Sequence, residues 1–116
     1  MHPQEIIIGT AVYVVHWGQD DWDQLKLENN GLSTGLLGRT AMTTEEIWIN
    51  PDISLNQQVD TLLHEIMHAC FNTAGVALDG YDDQEEGHIA ALAPWLLLTM
   101  RDNPAVVSFL LDPLEK

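Results

Sequence analysis

The chain has 116 residues, 46% of them hydrophobic, and eighteen acidic side chains against four lysines and arginines, for a formal net charge of −14. That length and apolar content predict a single domain that buries its core without disulfides, and the lone Cys70 cannot form an internal one. With only Lys26, Arg39, Arg101 and Lys116 to displace counterions, the charge opposes contact with a phosphate backbone and excludes nucleic acid as a direct partner.

No charged-then-apolar leader precedes the first strand-like run, so a cytoplasmic protein is expected. Ile6-Ile7-Ile8 and the run 12–15 flank Gly9 and read as one buried strand at the sheet centre, bent or bulged at the glycine. Segment 16–30 is polar and acidic, carries Trp17 and Trp22, and has a periodicity compatible with a short helix or an ordered loop. Gly31, Gly35 and Gly38 mark turns before a run over 39–42, and Thr43-Thr44-Glu45-Glu46 separates it from Ile47-Trp48-Ile49, which stops at Asn50-Pro51. These two runs predict a hairpin with the second at the sheet edge.

Beyond Pro51, Ser54 or Asn56 can cap a helix whose apolar positions Val59, Leu62, Leu63, Ile66, Met67 and Cys70 follow the 3.6-residue period, with Gly75 ending it. An acidic loop over 76–84 contains Gly80, Asp79, Asp82 and Asp83. A second helix is expected from near Glu85, with Ile89, Leu92, Ala93 and Leu96 on one face and Pro94 removing one ladder hydrogen bond. The apolar stretch 89–100 falls short of the roughly 20 residues that span a bilayer, so it predicts a buried core helix and no membrane anchor. Arg101-Asp102-Asn103-Pro104 breaks the pattern, and 105–111 makes a short closing helix before Pro113.

His64-Glu65-Ile66-Met67-His68 carries the chemistry. Imidazoles four residues apart on a helix stand one turn above each other and can reach one zinc ion, and the glutamate between them is placed to act as general base on a metal-activated water. Five histidines and eight glutamates in this length give the pattern by chance in about 1% of such chains. A catalytic zinc site takes three protein ligands and leaves the fourth position to water, so a third ligand is needed.

Glu85 and Glu86 open the second helix, close to its apolar face. Periodicity does not separate them; Glu86 is the expected ligand and Glu85 the alternative. His88 is the rival by residue type, although it sits off the apolar stripe. Tyr81 is placed in the acidic loop as an oxyanion donor or, more simply, a packing residue. Asp79, Asp82 and Asp83 are expected to be solvated rather than to orient a histidine. Cys70, two residues past His68, is turned off the ligand face and is expected in the core. Trp17, Trp22 and Trp48 fit a partner surface, a cleft wall or the core equally well.

Leu62-Leu63-His64-Glu65-Ile66-Met67-His68-Ala69, the Glu85-Glu86 pair heading a helix, Leu92-Ala93-Pro94 and Arg101-Asp102-Asn103-Pro104 resemble the short gluzincin-like metallopeptidases encoded by tailed phages and prophages. With Gly38-Arg39-Thr40 and Ile47-Trp48-Ile49-Asn50-Pro51, the resemblance covers roughly residues 35–112. It implies a minimal zincin-like α+β fold: a small twisted sheet, an active-site helix with His64, Glu65 and His68, and a second helix supplying a glutamate at position 85 or 86. It also implies a peptide or protein substrate laid along the edge strand. The positions one turn after the two glutamates are Ile89 and Ala90, so the aspartate that supports the site in larger gluzincins is absent or replaced. The resulting expectation is a zinc-dependent peptidase with Glu65 as general base, the alternative being a non-catalytic zinc-binding interaction module in phage assembly or host regulation.

Overall fold

A computed structural model describes residues 2–29, 36–74 and 83–113. Its architecture is α+β: a four-stranded mixed sheet of order β1-β2-β4-β3, one face packed on a long helix, with three further helices. The apolar run around Gly9 forms two strands rather than one bent strand. β1 (Glu5–Ile8) and β2 (Ala11–His16) pair antiparallel with Ile8 opposite Ala11, and Gly9 turns the chain at φ +64°, a conformation that costs an L side chain energy but not glycine. This places β1 at one edge of the sheet and β2 inside it.

After α1 (Gln19–Glu28), β3 (Gly38–Ala41) and β4 (Glu46–Ile49) form the expected hairpin, but their places are exchanged. β4 runs parallel to β2 on one side and antiparallel to β3 on the other, so β3 is the edge. The side chains account for this. Ile47 and Ile49 are completely buried and suit an inner strand, whereas β3 offers Gly38 and the half-buried Arg39, residues an edge tolerates.

Alternation along the strands points Tyr13, Val15, Ile47 and Ile49 to one face, where they pack with Ile8 and with Ala69 of α2 (Leu55–Ala74). Leu62 and Ile66 extend this contact along the helix. Ser54, not Asn56, caps α2: its hydroxyl accepts the Gln57 N–H at 3.2 Å while the Gln57 side chain accepts the Ser54 N–H at 3.1 Å.

α3 (Asp83–Asp102) lies against α2 through Glu85, Ile89 and Ala93, spaced four residues apart on one stripe, and continues through Pro94. Leu92 and Leu96, expected on that stripe, are 55% and 44% exposed, so the buried core helix read from 89–100 is buried on one narrow face only. α4 (Pro104–Leu111) follows. Among the described residues no helix is long and apolar enough to cross a membrane. Gly31, Gly35, Gly75, Asp79, Gly80, Tyr81, Asp82 and the Asp83 side chain lie outside what is described.

Candidate metal centre

α2 carries both histidines of the motif on the side that meets α3, so one turn of helix brings their rings edge to face with centroids 5.1 Å apart. The first turn of α3 faces them. Glu86 spans the two rings: one carboxylate oxygen is 2.9 Å from His64 Nε2 and the other 2.7 Å from His68 Nε2. Ligand atoms of His64, His68 and Glu86 all lie within 4.8 Å of one another, close enough to hold a metal ion. Around zinc, ligand atoms at about 2.0–2.1 Å in tetrahedral array stand about 3.3 Å apart, which small side-chain shifts from the present spacing reach.

The neighbouring glutamate has a different place. Glu85 is buried, and its carboxylate lies 3.2 Å from Nδ1 of the wholly buried His68. Glu85 thus holds the His68 ring from its Nδ1 side and turns Nε2 toward the point where His64 and Glu86 converge. The pair that periodicity left unresolved is thus divided by geometry, Glu86 toward the ligand cluster and Glu85 behind a ligand ring. His88 is exposed and joins no ligand cluster among the described residues.

Glu65 is buried between α2 and the edge strand. The Thr40 hydroxyl on β3 donates to its carboxylate at 2.8 Å, and this contact depends on how closely the strand passes the helix. A Cβ at Gly38 would stand 2.7 Å from Thr61 Cγ2 and 3.2 Å from Glu65 Cγ, so glycine permits that approach. Burial raises the Glu65 carboxyl from 4.5 to about 7, and the negative Glu86 adds to the rise, while the Thr40 hydrogen bond and nearby His64 oppose it. A carboxyl near neutrality can both take and return a proton at physiological pH.

Elsewhere, Cys70 is exposed rather than in the core, although Ile66 one turn earlier on α2 packs against it. Trp22 is buried, Trp17 is half-buried with its indole N–H donating to the Pro3 carbonyl at 2.6 Å, and Trp48 stacks on His16 at 5.2 Å. His16, unremarked in the sequence because it simply ends a strand, sits with Nε2 2.8 Å from Glu46 and Nδ1 3.3 Å from Asp21, beside a cavity of about 380 Å³. The two carboxylates take opposite ring nitrogens and fasten α1 to the sheet through the imidazole. Compared with known protein families, curated proteins and solved structures, the chain matches none of them.

Proposed function

We propose that the chain is a gluzincin-type zinc metallopeptidase that hydrolyses peptide bonds, with His64, His68 and Glu86 as metal ligands and Glu65 as general base. The observation that supports it is the convergence of two Nε2 atoms and one carboxylate from two helices, with a buried glutamate of the same motif alongside. Two imidazoles and one carboxylate suit zinc, whereas calcium and magnesium prefer all-oxygen shells.

When bound, zinc supplies Lewis acidity to a carbonyl oxygen and to water. Glu65 takes a proton from the attacking water and returns it to the leaving amine, a role its place between the two histidines of the motif suits. Thr40 holds the Glu65 carboxylate in one orientation through both, and Glu85 keeps the His68 ring from turning. Among the described residues the edge strand that carries Thr40 has one unpaired side, on which an extended peptide can add as a further strand beside Glu65.

The test is zinc stoichiometry by elemental analysis together with hydrolysis of a denatured-protein or peptide-library substrate. One zinc per chain and cleavage that falls by about 10²- to 10⁴-fold in Glu65→Gln, with zinc retained, is the expected result. A chain that binds no zinc sinks the reading at its first step; full zinc occupancy with no cleavage of any substrate leaves the non-catalytic module instead.

A further inference from the structure

We infer that the apolar, net-neutral arm made by the second half of α3 and by α4 is the surface through which two copies of this chain associate. The body of the domain is closed by the sheet, α2 and the first half of α3, whereas α4 packs against α3. Along this arm the apolar side chains face outward. Leu92 is 55% exposed, Trp95 71%, Val106 53%, Phe109 64%, Leu110 72% and Leu111 81%. Together these six residues, spread around two adjoining helices, expose roughly 750 Å², of the order of the roughly 800 Å² that each partner buries in a standard stable interface. Patches of that size rarely face water in a monomer.

Charge selects the occupant. Between residues 89 and 111 the only charged side chains are Arg101 and Asp102, which cancel, so the entire net charge of −14 lies elsewhere on the chain. A charged partner finds nothing on the arm to pair with, and an anionic lipid surface is repelled by the body. A second copy is matched: a two-fold contact sets the same neutral apolar residues against each other, and brings no like charges together. The molecule is elongated, 51 × 32 × 26 Å, and contact through the arm leaves the acidic residues of the two bodies outside the interface. The inference is independent of the metal site.

Sedimentation of the full chain over about 1 to 100 μM tests it. The expected mass is twice 13.0 kDa at the upper concentrations, relaxing toward 13.0 kDa on dilution. Trp95→Glu and Phe109→Glu, on separate helices and both exposed in one copy, should each weaken association by about a hundredfold or more, because each buries an unpaired carboxylate in the contact. Far-UV circular dichroism reports whether each variant keeps its fold, and the two sites provide independent tests. Ile7→Glu, at a position 76% exposed on β1, should leave association unchanged. A 13.0 kDa particle throughout, a dimer indifferent to both arm substitutions, or a monomer that instead floats with phosphatidylcholine vesicles would each overturn the inference, the last assigning the arm to lipid.

Discussion

Glu65→Gln in the metal-free protein isolates what it takes to keep a carboxyl in the buried space between α2 and β3. With the Glu65 carboxyl at about 7 in the folded chain and near its ordinary 4.5 when unfolded, the native state holds the proton more tightly. Stability therefore falls as pH rises from 4.5, and levels off only above 7, where both states are ionised. The rise corresponds to about 3 kcal/mol lost between those limits, at 1.36 kcal/mol per unit. Glutamine keeps the shape and an acceptor for Thr40 but cannot ionise, so any cost of its buried amide is independent of pH. Urea unfolding in the presence of chelator, followed at pH 5 and pH 8, should show Glu65→Gln gaining about 3 kcal/mol on the wild type between the two pH values. With a typical urea slope for a small domain, that is a relative midpoint shift of about 2 M. Parallel pH profiles for the two proteins would refute the burial argument, and a wild type that gains stability over this interval relative to the variant would reverse its sign.

Two further substitutions probe the surrounding machinery. Glu85→Gln removes the carboxylate behind His68 and should weaken zinc binding by about 10- to 100-fold in a competition titration, while His88→Ala, at an exposed position, should leave it unchanged; equal losses at both would undo the division of roles among Glu85, Glu86 and His88. Gly38→Ala places a methyl against Thr61 and Glu65 and should cost about 1–3 kcal/mol in thermal or urea unfolding, with activity falling more than zinc affinity because Glu65, not a ligand, is displaced.

How far the sequence could be read follows from the range of the interaction behind each feature. That His64 and His68 share one helix face with Glu65 between them was legible because four-residue spacing on one helix is a local geometric fact, and the periodic Val59, Leu62 and Ile66 announce that helix by themselves. The Ser54 cap and the α+β class were legible on similar grounds. What failed was decided between elements. Gly9 as turn rather than bend, β4 inside and β3 outside, depend on which strand pairs with which, and the parallel pairing of β2 with β4 leaves no trace in either segment alone. Glu85 and Glu86 are adjacent, so helical phase separates them by only about 100°, and only the position of α2 decides that one supports a ring from behind while the other spans both.

The stretch 89–100 misled for a related reason. Hydrophobicity there promised burial, but α3 spends its contact with α2 on the stripe of Glu85, Ile89 and Ala93, two of them small or polar, and turns its large residues outward. A helix that places a glutamate pair and an alanine against its neighbour while exposing Trp95 is organised around the ligand cluster at its first turn rather than around a core. Placing Glu86 requires α3 to approach α2 closely, and Ala93 permits that approach along the same face. The bulky side chains are consequently left on the far faces, where they supply the apolar arm. One face of α3 thus carries the candidate chemistry, and the others present the exposed apolar side chains.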